Sequence, residues 1–467
     1  MKYILNPNIA LRSWRLVPYA YYVKGIRDAA GLTADEFAFL SACDGQTEHA
    51  SAEDGNMLAE KFLQSGFIKA AGPEDEMNAW SRPRSCDNRY FPALNWMITG
   101  RCNYNCLHCF NAVDNAPLAS EFTLEEGESL ISEAEECGIN AFTITGGEPM
   151  CHRHFFELTE SIYRHGMFVE ELNTNGFYIT DEALSRLRDI GCDPLIKISF
   201  DGLGHHDWLR NRKGAEEETL RAIKLCIKNG FRVKVQTNVH KRNLSSMLPT
   251  AEYLDSLGVR EMRIIRTTES PRWNANANGE TLGITEYYDE MIALAGKYAG
   301  GGHSMELTVW QLLSVLPEER AYRVVPVSCA AGRYRDTIPV CRGNRGMAAV
   351  AADGNVFPCM QMSGYYEAHG DILGNVKTDG LASLLRSSKY LSEVCTTVGH
   401  LAKVNKKCGS CRYFRYCTGG CRAIATALTG DKLGVDPAKC LFFEKAYYDK
   451  LCSAMGTFTN LTPIGDC

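Results

Sequence analysis

Three cysteines lie within the eight residues CNYNCLHC, where Cys102, Cys106 and Cys109 have the spacing CxxxCxxC. A disulfide joins cysteines in pairs, and a structural zinc site generally takes four ligands from paired CxxC or CxxH units. A [4Fe–4S] cluster has four irons, so three thiolates would leave one iron open to another ligand. The spacing therefore favours an iron–sulfur cluster with one open vertex.

A second motif, TGGEP, follows the apolar run AFTI. Glycines allow a close backbone approach, here expected to be toward a ligand, and a carboxylate beside them can accept a hydrogen bond from an ammonium group. Together with the cysteine triplet, this motif resembles the radical S-adenosylmethionine (SAM) enzymes, whose open iron binds the amino and carboxylate groups of SAM. The resemblance implies that the SAM amino group is held by Gly146, Gly147, Glu148 and Pro149.

Weaker matches follow on later strands. The element SFDG, with Ser199 and Asp201, resembles a motif that faces the ribose and carboxylate of SAM, and Asn238 ends the next strand. Arg221 lies in the helical segment after SFDG and is a candidate partner for the SAM carboxylate. The alternative is that it lies on a solvated helix face. No catalytic residue or general base is identified.

The elements that must position these residues alternate between strands and helices. Strands are predicted at 93–99, 141–145, 168–174, 195–200, 233–238 and 261–266, with amphipathic helical patterns between them. A capping box at Thr123 and Glu126 begins one of these helices. Such alternation predicts an α/β fold with a parallel sheet. Six strands are too few for a closed eight-stranded barrel, so we expect a partial (β/α)6 barrel whose loops after strands carry the chemistry.

A second group of cysteines occupies the C-terminal third. Its spacing resembles the seven-cysteine SPASM domain of peptide-modifying radical SAM enzymes, and a zinc ribbon is the alternative. The resemblance implies one auxiliary [4Fe–4S] cluster on Cys408, Cys411, Cys417 and Cys440, and a second on Cys341, Cys359 and Cys421. Cys329 either closes the second cluster or leaves an iron open to a substrate thiolate. Because helical periodicity is unclear before Ala423, we expect this region to depend on metal rather than on an apolar core.

The N-terminal segment has a different pattern. It contains a capping box at Thr33 and Glu36 and a second helix at roughly 51–64, followed by a short strand. Two or three helices with a small hairpin would resemble a winged helix, and a linker at 71–85 would join this domain to the barrel. Residues 1–95 carry ten Lys or Arg against twelve Asp or Glu, which disfavours binding to a nucleic acid backbone. In peptide maturases of this class, such a domain binds a leader peptide as an added edge strand.

Length and composition agree with several soluble domains. The 467 residues carry a net charge of −6 and 20 cysteines, without an apolar segment long enough for a signal peptide or membrane span. We therefore expect a cytoplasmic protein, since thiols stay reduced there. The predicted domains are a leader-recognition domain at 1–90, a radical SAM barrel at 91–320, a SPASM domain at 321–450 and a tail at 451–467.

The function implied by the resemblance is that of a radical SAM peptide maturase. It would use three [4Fe–4S] clusters and SAM to generate a 5′-deoxyadenosyl radical and install a thioether or carbon–carbon cross-link in a ribosomally made precursor peptide. The expected partners are that precursor with its leader and an electron donor such as flavodoxin or ferredoxin, without nucleic acid or membrane. The alternatives are a formylglycine-generating sulfatase maturase, a peptide epimerase and a zinc-ribbon winged-helix regulator.

Overall fold

The computed structural model describes residues 1–23, 29–53, 55–109, 112–113, 116–117, 120–267, 269–324 and 334–464. The described chain is a mixed α/β protein built around a twelve-stranded, mainly parallel sheet. Within these ranges, none of the helices combines the length and apolar character that crossing a membrane requires.

The N-terminal segment contains two small sheets and two helices. Strand β1 lies between β5 and β6 and is antiparallel to both, whereas the second sheet has the order β4-β3-β2-β7. The elements are β1 (Lys2–Leu5), β2 (Ile9–Ser13), β3 (Ala20–Val23), β4 (Ala30–Gly31), α1 (Ala34–Ser41), β5 (Asp44–Glu48), α2 (Met57–Gln64), β6 (Ile68–Ala70) and β7 (Arg84–Ser85).

Helix starts in this segment follow their capping residues. The capping box predicted at Thr33 and Glu36 is present at the start of α1. Helix α2 begins later than the predicted 51–64, because the side chain of Asn56 accepts the backbone N–H of Ala59 at 3.1 Å and caps the helix there. Two helices against a three-stranded sheet agree with the winged-helix-like prediction, although β6 pairs with β1 and does not form a hairpin.

The central region contains all six predicted strands. Its elements are β8 (Ala93–Met97), β9 (Ala112–Val113), β10 (Ala116–Pro117), α3 (Leu124–Glu136), β11 (Ala141–Thr145), α4 (Phe155–Arg164), β12 (Phe168–Thr174), α5 (Asp181–Asp189), β13 (Leu195–Ser199), α6 (His206–Arg210), α7 (Ala215–Lys228), β14 (Val233–Val239), α8 (Met247–Leu257), β15 (Glu261–Arg266), α9 (Pro271–Asn276), α10 (Ile284–Ala299), β16 (Glu306–Val309), β17 (Leu313–Leu316) and β18 (Ala321–Val324). The capping box at Thr123 and Glu126 starts α3 as predicted.

The C-terminal region adds short helices and three strands. Its elements are α11 (Arg342–Gly346), β19 (Met347–Val350), β20 (Val356–Phe357), α12 (Ser363–Ala368), α13 (Val376–Asp379), α14 (Leu381–Leu384), α15 (Ser388–Val394), α16 (Val398–Val404), α17 (Lys406–Gly409), α18 (Phe414–Cys417), α19 (Arg422–Thr429), α20 (Pro437–Glu444), α21 (Tyr447–Met455) and β21 (Thr462–Ile464).

The large sheet has the order β20-β19-β8-β11-β12-β13-β14-β15-β16-β17-β18-β21. Strands β19 through β16 in this order are parallel neighbours, and β17 and β18 continue the sheet in antiparallel pairing. The predicted open partial barrel is thus confirmed, and it is extended by β16 and by β19 from the C-terminal region.

The expectation that the C-terminal region lacks an apolar core is wrong. Leu381, Leu385 and Tyr390 are fully buried and belong to the same core as the barrel. Val398 and Leu401 form part of a smaller buried cluster. Because the helices before α19 are only four to seven residues long, they are too short to show a clear apolar period in the sequence.

The N-terminal segment closes the amino end of the barrel. Trp14 and Trp80 lie in one buried cluster with Ala93, Ala141 and Phe168, which are the first residues of β8, β11 and β12. The predicted linker is therefore packed against the barrel through Trp80, whose ring meets that of Phe168 edge-on at 5.2 Å. The site described next lies at the opposite, carboxyl end of these strands.

Candidate active site at the carboxyl ends of the strands

Predicted site residues from four strands meet at one rim of the barrel. The cysteine loop follows β8 and the GGEP loop follows β11, while Ser199 ends β13, Asp201 lies two residues beyond it and Asn238 lies near the end of β14. Because these strands are parallel and neighbouring, their carboxyl ends lie on the same side. The fold thus places most of the predicted cofactor-binding residues together.

The two glycines of the GGEP motif pack against the loop that leads to the cysteines. A Cβ at Gly147 would lie 2.4 Å from the carbonyl oxygens of both Gly100 and Arg101, and one at Gly146 would lie 2.6 Å from that of Thr99. The Gly147 N–H donates to Thr99 O at 2.8 Å. The close approach is thus between two protein loops, whereas the sequence analysis attributed it to a ligand.

Glu148 is fully buried and anchors the end of β12. Its carboxylate accepts hydrogen bonds from Thr174 Oγ1 at 2.8 Å, from the N–H of Asn175 at 2.7 Å and from the N–H of Met150 at 3.3 Å. Pro149 begins the short 3₁₀ turn that Glu148 caps. Burial raises the pKa of Glu148 to about 7, against the lowering effect of these hydrogen bonds. A carboxylate can accept about four hydrogen bonds, so one position remains for another donor.

The cysteine loop surrounds its thiols with N–H donors. The Tyr104 N–H lies 3.4 Å from Cys102 Sγ, and the Asn175 side-chain amide lies 3.9 Å from the same sulfur. Burial, with a smaller contribution from the charges of Cys106 and Cys109, raises the pKa of Cys102 to about 12. A thiol with this pKa is protonated at neutral pH, so metal binding must displace its proton.

Arg210 is a site residue that the sequence analysis missed. Its Nε donates to Asp201 Oδ2 at 2.7 Å, and its Nη1 lies 3.7 Å from Cys106 Sγ. The other Asp201 oxygen accepts the Asn238 N–H at 3.0 Å, so both carboxylate oxygens are bonded to protein groups. Burial opposes ionisation of Asp201, but Arg210 and His206, with a smaller contribution from His108, together outweigh it and hold the pKa of Asp201 well below its usual range. The sequence did not indicate this contact, because Arg210 on the short helix α6 and Cys106 are 104 residues apart and no regular spacing relates them.

His108, inside the cysteine motif, is a second residue that the sequence did not single out. Its Nε2 lies 3.1 Å from the side-chain amide of Asn238. Burial lowers the pKa of His108 to about 3, and the charge of Arg210 adds to this effect, so the ring is neutral. Asn238 is therefore in contact with the cysteine loop.

Ser199 and Arg221 lie in different surroundings. Ser199 is half-buried at the end of β13, on the strand face opposite the buried Ile198. Arg221 is on the exposed side of α7, where it donates to Ile179 O at 2.8 Å and to Phe177 O at 3.3 Å. This location agrees with the solvated helix face left open by the sequence.

In the C-terminal region, Cys341, Cys359 and Cys421 are neighbours. Burial raises the pKa of Cys359 to about 12, and the charges of Cys421 and Cys341 raise it further. The Cys341 sulfur accepts the N–H of Asn344 at 3.4 Å. The three thiols implied for one auxiliary cluster are thus brought together by the fold.

The other four C-terminal cysteines form a second neighbourhood. Besides burial, the charges of Cys440 and Cys411 raise the pKa of Cys408, and that of Cys440 raises the pKa of Cys417. Cys329 lies outside the described residues, so its role stays a prediction. Within the described ranges, no three His, Cys, Asp or Glu side chains are grouped as around a single metal ion; thiolates on a four-iron cube bind different irons.

Comparison with known families identifies the two cysteine regions. Residues 96–254 match the radical SAM superfamily, and residues 341–413 match SPASM, an iron–sulfur cluster-binding domain. The chain carries a radical SAM domain followed by a SPASM domain. The first range contains the cysteine triplet and the GGEP motif, whereas Cys417, Cys421 and Cys440 lie beyond the second.

Similar proteins act on different substrates. The AdoMet-dependent heme synthase of Methanosarcina barkeri is 28% identical over 352 residues, which are 73% of this chain and 94% of that protein. The PqqA peptide cyclase of Bradyrhizobium diazoefficiens is 25% identical over 355 residues, covering 74% of this chain and 84% of that protein. Streptococcus suis SuiB bound to its precursor peptide SuiA shares the fold, with a TM-score of 0.66 at 12% identity over 93% of this chain and 98% of that one.

The radical SAM and SPASM domains imply [4Fe–4S] clusters and SAM as cofactors. The residues at the rim fit both groups. Three thiols lie on one loop beside N–H donors, as cluster ligands require. Two buried polar atoms of the same loop, Asn103 Nδ2 and His108 Nδ1, have no hydrogen-bond partner in the described part of the chain, so they are available to a bound cofactor.

Proposed function

We propose that this radical SAM protein is a peptide maturase that installs an intramolecular cross-link, a thioether or a carbon–carbon bond, in a ribosomally made precursor. The observation that carries the proposal is the N-terminal domain. A fold match to peptide-bound SuiB over 93% of the chain must take in most of residues 1–90, whereas the heme synthase similarity spans 73% of the chain. An extended leader would pair with a free edge of the sheet β5-β1-β6.

The barrel residues bind and orient the cofactors in this proposal. When bound, the cluster and SAM supply a 5′-deoxyadenosyl radical that takes a hydrogen atom from an unactivated carbon of the peptide. Cys102, Cys106 and Cys109 hold the cluster, and Glu148 accepts the cofactor ammonium group at its remaining acceptor position. Asp201 acts through Arg210, since both of its oxygens are already bonded.

The SPASM domain holds two auxiliary clusters in this proposal, which brings the total to three. Their ligands are the two neighbouring sets of thiols described above, with Cys329 as the candidate fourth ligand of the set that contains Cys341. A flavodoxin or ferredoxin is the proposed electron donor. We place the enzyme in the cytoplasm, since the thiols that would hold the clusters are kept reduced there.

The curated relatives favour a second candidate substrate, a tetrapyrrole with carboxylate side chains, because one of them is a heme synthase. Among the described residues, however, the cations on the inner strand face have carboxylate partners. Lys197 Nζ lies 2.7 Å from Glu171 Oε1. Lys234 Nζ lies 2.6 Å from Glu261 Oε2, and Arg263 Nε lies 3.4 Å from Glu261 Oε1. Cations already paired in this way are poorly placed to bind substrate carboxylates, which supports the peptide.

The test uses anaerobically reconstituted protein and short peptides encoded beside its gene. We expect iron and sulfide rather than zinc, SAM-dependent formation of 5′-deoxyadenosine, and a peptide product that has lost two hydrogens and gives no fragment ions between the linked residues. The matched control replaces Cys102, Cys106 and Cys109 by Ala, which should abolish 5′-deoxyadenosine formation and leave the auxiliary clusters bound.

Other products would identify the alternatives. Conversion of one Cys or Ser to formylglycine indicates a sulfatase maturase, and an unchanged mass with inverted stereochemistry indicates an epimerase. Modification of a porphyrin, with every peptide left unchanged, would contradict the proposal. Zinc without iron would contradict the radical mechanism itself.

A further inference from the structure

A buried arginine reaches the proposed cluster from a neighbouring helix, α6. Arg210 is 6% exposed, and its Nη1 lies 3.7 Å from Cys106 Sγ across 104 residues of sequence. The backbone of the preceding residue, Leu209, accepts the N–H of Leu107 at 2.9 Å, which attaches helix α6 directly to the cysteine loop. The contact therefore depends on a fixed backbone attachment as well as on a side-chain rotamer.

The guanidinium is oriented by a carboxylate on its other side. Arg210 Nε donates to Asp201 Oδ2 at 2.7 Å, and Asp201 is fully buried. The pair is neutral overall, but its positive end faces the sulfur and its negative end faces away from it. A dipole held in a buried site is screened little by salt or water, so its effect on a nearby charge is strong.

We propose that Arg210 raises the reduction potential of the cluster held by the CxxxCxxC loop, by donating a charged N–H to the Cys106 thiolate. The inference rests on the proposed cluster ligands. Reduction adds negative charge to a cluster, and hydrogen bonds to its sulfurs are among the factors that set its potential. The Tyr104 N–H and the Asn175 amide on Cys102 are neutral donors, whereas Arg210 supplies a charge-assisted one. Arg210 is thus a positioning residue that favours the reduced state.

The test measures the midpoint potential of the cluster in the full-length, reconstituted protein. Its electron paramagnetic resonance signal is identified among the three clusters as the one that changes when SAM is added. The double variant Asp201→Asn/Arg210→Gln keeps hydrogen-bonding groups in place while removing both charges. We expect the equilibrium constant for reduction to fall at least tenfold, which equals a potential lower by about 59 mV for one electron.

Two further variants keep the test decisive. Arg210→Lys retains the buried charge, but one ammonium does not reproduce the planar fork that reaches both Asp201 and Cys106, so we expect a smaller shift in the same direction. Arg186→Gln changes an exposed arginine on α5 that pairs with Glu157 at 3.9 Å, and it should leave the potential unchanged. If the double variant loses iron, the midpoint potential of Arg210→Lys tests the proposal by itself.

The outcomes separate this inference from the proposed function. Wild-type potentials in both Arg210 variants, with normal iron content and a normal response to SAM, would overturn the role of Arg210 and leave the proposed function standing. A wild-type protein without any SAM-responsive cluster signal would overturn the proposed function, and this inference with it. A potential that is lowered in the Arg210 variants and unchanged in the control variant supports both the role of Arg210 and the proposed function.

Discussion

Glu148→Gln removes a charge from a fully buried carboxylate while keeping its shape. Burial raises the pKa of Glu148 to about 7 from an ordinary value of 4.5. Between these values the folded protein holds a proton that the unfolded chain has released, so the free energy of unfolding falls as the pH rises. A shift of this size corresponds to about 3 kcal/mol, since one pKa unit equals about 1.4 kcal/mol.

Glutamine does not ionise, but its NH2 group replaces one oxygen that accepts a hydrogen bond, and the lost acceptor costs about 1–3 kcal/mol at every pH. Near pH 5 we therefore expect Glu148→Gln to unfold at a lower urea concentration than the wild type in the absence of SAM. Between pH 5 and pH 8 the wild type should lose about 3 kcal/mol of stability that the variant keeps. Glu148→Ala should be less stable than Glu148→Gln at both pH values, because it leaves at least two buried donors unpaired at about 1–3 kcal/mol each.

The assay is urea unfolding of anaerobically prepared protein at pH 5 and pH 8, with SAM affinity measured in parallel. Glu74→Gln, which changes an exposed glutamate, is the control and should alter stability by less than about 0.5 kcal/mol. Glu148→Gln should also bind SAM more weakly than the wild type at pH 8, because it lacks the anion that meets the ammonium group. A stability difference that is the same at both pH values would refute the reasoning.

Two further predictions concern the packing around the site. Gly147→Ala should destabilise the protein by more than about 3 kcal/mol in urea unfolding, because its Cβ would lie 2.4 Å from backbone oxygens of the adjoining loop. Gly296→Ala, inside α10 with open space around it, should instead stabilise by about 0.5–1 kcal/mol, because Gly is a poorer helix former than Ala. Equal effects would contradict the close loop packing. Trp14→Ala should lower the free energy of unfolding by about 3–5 kcal/mol, because it removes a large side chain from the cluster at the amino end of the barrel. Leu16→Ala, at a side chain that is 49% exposed, should lower it little in the same assay. A small effect at Trp14 would contradict the packing of the N-terminal domain.

Six of the parallel strands could be predicted because their signals are local. Each of the six predicted strands is an apolar run bounded by helical patterns, and each appears in the structure with ends that differ by at most two residues. Strand β19 was missed because it is only four residues long and joins β8 from more than 200 residues away. The short C-terminal helices were missed for the same reason, since four to seven residues do not establish a period.

For the candidate site, the sequence by itself determined the chemical groups: three thiols at CxxxCxxC, a GGEP turn and a second set of cysteines. Their types and spacing are local properties, so they can be read from the sequence without knowledge of the fold. Only the tertiary structure decided which groups touch. Glu148 meets donors 26 and 27 residues away, and Arg210 meets Cys106 across 104 residues. These contacts arise because parallel strands bring distant loops to one rim, and no periodicity along the chain records which loop will face which.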